Sequence, residues 1–206
     1  FEKEEEPMAF ENLKKKLEEN GYTVSVFATG EEAAAYLNRV IDGKTVGCGG
    51  SMTLMDLGLY DSLATHNTLY YHGGLSDPMP VMEKAMTTDV YLLSANAIAE
   101  NTGELLNIDG NGNRVASALF GHPKVYFVAG RNKVSPDFDS ALWRLRNVVA
   151  PKNAQRLHRK TPCAVKGDKC YNCSSPERIC NALVVHYKKM RFADMEVVLV
   201  DQDLGY

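Results

Sequence analysis

The chain has 206 residues, 45% of them hydrophobic and 24% charged, with a formal net charge of -3. A chain of that length buries roughly 70% of its unfolded surface, so it needs no covalent staple, and no apolar run approaches the roughly 20 residues of a membrane span. Its mild acidity lacks the basic stripe that nucleic acid demands, and the basic clusters Arg156–Lys160 and Lys188–Arg191 read as solvated faces.

The acidic start, Phe1–Pro7, does not read as a secretory signal. Phe10, Leu13 and Leu17 then recur at helical spacing and predict a helix over Met8–Asn20, stopped by Gly21. Tyr22–Ala28 alternates as a strand does, and Thr29 with Glu32 has the capping-box spacing that opens a helix to about Val40. Lys44–Cys48 is a short strand entering a glycine-rich loop, after which a helix is expected. Thr68–Tyr71 is another apolar segment, closed by Gly73 and Gly74. Pro78–Met86 reads as a helix with proline in its first turn, and Asp89–Ser94 as a buried strand. The stretch Ala97–Ile108 precedes a dense turn signal at Asp109–Asn113, read as a hairpin-like loop. Lys124–Ala129 is a strand, Pro136–Val149 a helix ending before Pro151, and Val197–Asp201 a last strand. Such alternation predicts an α/β fold: one domain over residues 1–206, with a mostly parallel sheet flanked by helices. Ligands of such sheets collect at the carboxyl ends of the strands.

Residues 153–181 break this pattern. They are basic, poor in large apolar residues and interrupted by Pro162, Gly167 and Pro176, which marks an excursion from the sheet. They also hold Cys163, Cys170, Cys173 and Cys180, spaced C-x6-C-x2-C-x6-C. The central two-residue gap lets two thiolates reach one metal, and the outer pair could complete a set for zinc or an iron–sulfur cluster. The six-residue gaps match no standard finger or ferredoxin pattern, so disulfides and free thiols stay open as readings. Cys48 is expected to pack under its turn. Crowded cysteines without a signal sequence point to a reducing, cytoplasmic setting.

Three constellations carry chemistry. In Val46-Gly47-Cys48-Gly49-Gly50-Ser51-Met52-Thr53, glycines after a strand let the backbone turn and point amides at one place, with Ser51 and Thr53 adding hydroxyls. This suits phosphate or carboxylate, though it is neither a Walker loop nor a dinucleotide fingerprint; a tight turn holding no ligand is the plain alternative. In the second, Ser94–Asn107, Glu100 could act as general base or nucleophile beside Asn101 and Thr102, or be a solvated turn residue. In the third, Arg114 follows the 109–113 turn and could clamp a carboxylate. Among the histidines, His72 is the one best placed to face the pocket, with an ordinary hydrogen-bonded loop histidine as the stronger reading.

Taken in order, Gly47–Thr53, Ala99-Glu100-Asn101-Thr102-Gly103, Asp109-Gly110-Asn111-Gly112-Asn113-Arg114 and Val128-Ala129-Gly130-Arg131-Asn132-Lys133 resemble the LUD-domain family of lactate-utilisation proteins, in a form with a cysteine-rich C-terminal part. The resemblance runs from about Met8 to Tyr206. It implies a fold similar to ribose-5-phosphate isomerase, glucosamine-6-phosphate deaminase and CoA transferases. In those relatives a hydroxyl-bearing glycine loop holds the anion and a nearby acidic residue does the chemistry. Gly47, Gly49, Gly50, Ser51 and Thr53 match the loop, Glu100 is the closest match to the acid, and Asn101, Thr102, Arg114 and Lys133 fall in the matching motifs as ligand-binding residues.

The function expected is an enzyme or enzyme subunit of lactate or organic-acid metabolism acting on a small carboxylate or phosphate, either transferase- or isomerase-like or part of an oxidoreductase complex. The alternative is a non-catalytic accessory or sensor subunit. The expected partners are a small anionic metabolite, an iron–sulfur protein and a second copy in a homodimer, but neither nucleic acid nor membrane.

Overall fold

Leu13 and Leu17 lie one turn apart on α1 (Glu11–Glu19) and are fully buried, which fixes this charged segment to the protein. The structure, a computed structural model, describes residues 10–206. The acidic start and the first residues of the predicted helix, Met8 and Ala9, lie outside the described residues. After β1 (Thr23–Phe27), Thr29 accepts the Glu32 N–H and opens α2 (Gly30–Val40), as the capping-box spacing predicts. Next come β2 (Thr45–Cys48), the short helices α3 (Met52–Asp56) and α4 (Leu59–Ala64), β3 (Thr68–Tyr71), α5 (Met79–Ala85) and β4 (Val90–Leu93). The chain continues through β5 (Ala97–Ala99), β6 (Leu105–Asp109), α6 (Asn113–Leu119), β7 (Lys124–Gly130) and β8 (Val134–Ser135). It ends with α7 (Phe138–Arg144), α8 (Ala150–Arg156), α9 (Pro162–Lys166), β9 (Ala182–His186) and β10 (Asp194–Val200).

Six strands form one parallel sheet in the order β1-β10-β7-β4-β2-β3. Its central strands are apolar on both faces, as burial on both sides requires. Tyr91, Leu93, Val125, Phe127, Val197 and Leu199 face α1; Val90, Leu92, Tyr126, Val128, Val198 and Val200 face α2, α3 and α4. The predicted α/β class and parallel sheet are thus observed. No helix among the described residues is long and apolar enough to cross a membrane.

Three features depart from the sequence reading. A second, four-stranded sheet, β8-β5-β6-β9, lies on the α1 side: Ile98 and Leu105 join the main core while Ala97, Ala99 and Leu106 pack under α7. Its strands have two to five residues, too short for alternation to show. The helix predicted to end before Pro151 instead continues. A π-turn at Leu145–Val149, closed by the Ala150 N–H on the Leu145 carbonyl, carries α7 into α8. Proline lacks the N–H that an interior turn needs, and a π-turn is one way a helix absorbs that loss. The 109–113 turn leads into α6 rather than closing a hairpin.

Gly47 shows how tightly the sheet is packed. A Cβ there would sit 2.5 Å from the Ala85 carbonyl oxygen, 2.8 Å from Thr88 Oγ1 and 2.9 Å from Tyr91 Cδ2. Its glycine character serves α5 against the sheet rather than a ligand. Gly47→Ala is expected to cost about 1–3 kcal/mol by overpacking, read as a lower urea midpoint; an unchanged midpoint would contradict this packing.

Candidate functional site

The carboxyl ends of β2, β3, β4, β6 and β7 open on one cleft of about 630 Å³, a volume ordinary for a small-molecule site. Gly50 and Ser51 enter it after β2, His72 after β3, Ser94 and Asn96 after β4, Asp109 at the end of β6, and Lys133 after β7. Arg114 of α6, Arg156 of α8, Arg159 and Tyr206 complete the wall. Among the described residues the charges are lopsided: Arg114, Arg156, Arg159 and Lys133 line the cleft with one side-chain carboxylate, Asp109.

Arg114 is held from several sides. Its Nη2 donates to the Ile108 carbonyl at 2.5 Å and to Asn96 Oδ1 at 3.3 Å, while Nε lies 3.8 Å from Asp109 Oδ2. Asp109 in turn accepts the N–H groups of Asn111 and Val115. The Arg114 stem runs over Gly49, where a Cβ would come within 2.9 Å of Cδ and 3.0 Å of Cγ. Gly49 therefore makes room for the arginine. His72 is half-buried, and that burial lowers its pKa against the opposing pull of Asp109.

Lys133 is the most unusual group in the wall. The residue is 4% exposed, and among the described residues its amine has no hydrogen-bond acceptor and no carboxylate in ion-pair contact. Burial, then the charges of Arg144 and Arg114, push its pKa down to about 7, with only Asp56 acting the other way. The tail after β10 creates this burial. Asn132 Oδ1 accepts the Leu204 N–H, Asp56 accepts the Gly205 N–H, and Gly205 has no side chain to strike Thr53 Oγ1 or the Lys133 amine.

Of the residues expected from the sequence, the fold brings Gly50, Ser51, Arg114 and Lys133 to the cleft, and His72 with them. It does not bring Gly47, Gly49, Thr53, Glu100, Asn101 or Thr102 to the lining. Thr53 is buried, donating to the Leu204 carbonyl and accepting from Ser94. The glycine loop is no open nest: the Ser51 N–H donates to the Tyr60 hydroxyl at 2.9 Å, which donates to the Gly49 carbonyl at 2.8 Å. Burial raises the Tyr60 pKa and keeps that hydroxyl protonated, and Ser51 Oγ caps α3 by accepting the Leu54 N–H.

Glu100 fails to reach the cleft for a topological reason. Strands β5 and β6 pair antiparallel, so the turn after β5 lies at the opposite end of the hairpin from Asp109. Five residues of β6 separate the two ends by roughly 15 Å. At that far end the Glu100 N–H is held by the Ser135 carbonyl, and the Thr102 carbonyl accepts from Asn20 at the end of α1. The converse miss is Arg156 and Arg159, which read as a solvated cluster but line the cleft because the helix runs on past Pro151.

The four excursion cysteines are free thiols, and Cys48 is buried. Cys170 Sγ accepts the Asn172 N–H at 3.3 Å and lies 3.8 Å from Arg146 Nη2, while Arg178 bridges the Cys173 and Cys180 carbonyls. Among the described residues no three His, Cys, Asp or Glu side chains are gathered as a metal would need. Burial raises the Cys180 pKa, and Cys170 and Cys173 lie close enough to act in the same direction.

A family model, the LUD domain, matches residues 10–200, and the chain belongs to that family. It is thereby a protein of the lactate-utilisation type in the family sense. Its fold is similar to a crystal structure of a DUF162 family protein from Deinococcus radiodurans, with a TM-score of 0.51, 9% identity, and coverage of 92% of this chain and 94% of that one. At that identity the likeness shows the fold alone. No curated protein matches the chain significantly.

The desolvated amine makes a stability prediction. Because its folded pKa lies below the ordinary lysine value, the unfolded chain binds more protons between about pH 7 and pH 10, and stability rises with pH across that window. Lys133→Met is expected to stabilise the fold near pH 7 by a few kcal/mol, at about 1.4 kcal/mol for each tenfold loss of proton affinity. The gain should shrink toward zero as the pH nears about 10. Urea titrations at several pH values check this; a loss of stability, or a gain independent of pH, would contradict it.

Proposed function

We propose that the cleft binds a small metabolite bearing a carboxylate or phosphate, and that the protein acts as an enzyme or enzyme subunit of organic-acid metabolism. One observation carries this reading: among the described residues three arginines and Lys133 line a cleft whose single side-chain carboxylate, Asp109, already answers to Arg114 and two backbone N–H groups. A wall of that kind has a surplus of donors for an anion. Among the described residues Arg114 Nη1 has no acceptor, so the guanidinium fixed by Asn96 and Ile108 keeps an edge for the ligand. Enzymatic action is supported by the amine of Lys133, whose pKa near 7 suits proton transfer or nucleophilic attack at neutral pH.

The test is thermal shift against matched ligands: inorganic phosphate, small carboxylates and neutral polyols of similar size. Anions are expected to raise the melting temperature, by an amount equivalent to about 2.7 kcal/mol at a hundred times Kd. Arg114→Gln should weaken binding about 10- to 100-fold, the loss of one charge-assisted contact, and Glu100→Gln should leave it unchanged. Equal stabilisation by polyols, or loss of the effect in Glu100→Gln alone, would reject the reading.

A second reading, an accessory subunit that engages an iron–sulfur partner or holds a metal, is favoured by the donors converging on Cys170 Sγ, the Asn172 N–H and the Arg146 guanidinium, which would offset the charge of a metal-bound sulfur. Metal analysis with optical spectra on protein purified without oxygen tests its metal form; zinc or iron in stoichiometric amount supports it, and four titratable thiols without metal reject it.

A further inference from the structure

We infer that Lys133 is a covalent site: its amine condenses with the carbonyl of a small 2-oxo carboxylate held at Arg114, forming an imine. The inference rests on the anion-binding reading of the same cleft and adds the substrate's second functional group. A lysine that is 4% exposed, lines a ligand-sized cleft and whose amine has no acceptor among the described residues is not holding the structure together through that amine. A lysine with a structural role reaches for a carboxylate or carbonyl, because an unpaired buried charge is expensive. Here the side chain is enclosed by the 204–206 tail yet opens on the cavity, so the amine's remaining partner is whatever enters it.

The neighbourhood selects the protonation state that such chemistry requires. The charged groups acting on the amine come from three elements: Arg144 of α7 and Arg114 of α6, both cationic, and Asp56 of α3. Two guanidiniums against one carboxylate, together with burial, hold the amine neutral near pH 7. Relative to an ordinary lysine, the neutral fraction there is on the order of a thousandfold larger. The same arginine that depresses the amine attracts a carboxylate, so the ligand that binds best is the one that places a carbon next to its carboxylate in front of nitrogen. A 2-oxo acid has its electrophilic carbon there.

The step balances without any oxidant or reductant. The nitrogen lone pair attacks the carbonyl carbon, a C–N bond forms, and the oxygen takes up a proton to give a carbinolamine. The C–O bond then breaks, and both amine hydrogens leave with that oxygen as water. The product imine takes up a proton more readily than the carbonyl did, which makes the attached carbon an electron sink.

The experiment uses the full chain with pyruvate as the probe, borohydride to trap the imine, and mass spectrometry to locate it. Acetone, which lacks the carboxylate, and acetate, which lacks the carbonyl, are run alongside, and melting temperature is recorded for each ligand. The expected result is a single adduct on Lys133, heavier by the mass of pyruvate less one oxygen, formed at least tenfold faster than with acetone and absent with acetate. Its rate should level off near pH 7–8 rather than climb toward 10. Lys133→Met should lose the adduct, while a wild-type circular-dichroism spectrum and one cooperative urea transition show that the variant folds. Adducts scattered over surface lysines, or stabilisation by pyruvate with no trapped adduct, would overturn the imine and leave the anion site standing. No stabilisation by any anion, together with no adduct, would overturn both.

Discussion

The Arg114 side chain passes over Gly49 with no space for a Cβ between them, and the rest of the site depends on that close approach. It brings a guanidinium from α6 across the carboxyl end of β2 and fixes it against Ile108 and Asp109 of the second sheet and Asn96 just before that sheet. One side chain thus joins the parallel sheet to the smaller one, and the cleft is the space left between them. Gly49 is best understood as clearance for a cation, and the loop's polar groups are committed elsewhere: Tyr60 takes the Ser51 N–H and donates to the Gly49 carbonyl. The donors that the cleft offers are therefore side chains rather than a cradle of backbone amides.

Burial of Lys133 is the second constraint, and it opposes stability. An amine kept from water between two guanidiniums destabilises the native state below about pH 10, and such arrangements persist where a site uses them. The tail that encloses it is tied down by Asn132 and Asp56, so the desolvation follows from packing rather than from a mobile cover. Arg144, which donates to the Asn96 carbonyl, belongs to the same cationic group although it stands behind the wall. The helix that carries it continues through the π-turn to Arg156, and Arg156 and Arg159 reach the rim as a consequence.

The parallel sheet was legible because its strands are apolar runs between capped helices, and Thr29 with Glu32 marked one helix start correctly. That Ser51, Arg114 and Lys133 would meet at one cleft was legible in the motifs that carry them. The second sheet was not, since strands as short as Val134–Ser135 carry no period. Glu100 could not be placed without knowing that β5 and β6 pair antiparallel, a long-range fact that local pattern does not hold. Pro151 misled for a plainer reason: the rule that proline ends a helix fails where a π-turn removes the need for its N–H. The amine's protonation state depends on Arg144, Arg114 and the tail together, three segments far apart in the chain.

A neutral amine facing an anion site is the central claim, and the titration of Lys133 observed by NMR on protein carrying labelled lysine side chains measures it directly. The expected midpoint is about 7 in the free protein, rising when phosphate or a carboxylate fills the cleft, since a nearby negative charge favours the ammonium form. A midpoint near the ordinary lysine value of about 10.4, unmoved by anions, would contradict it.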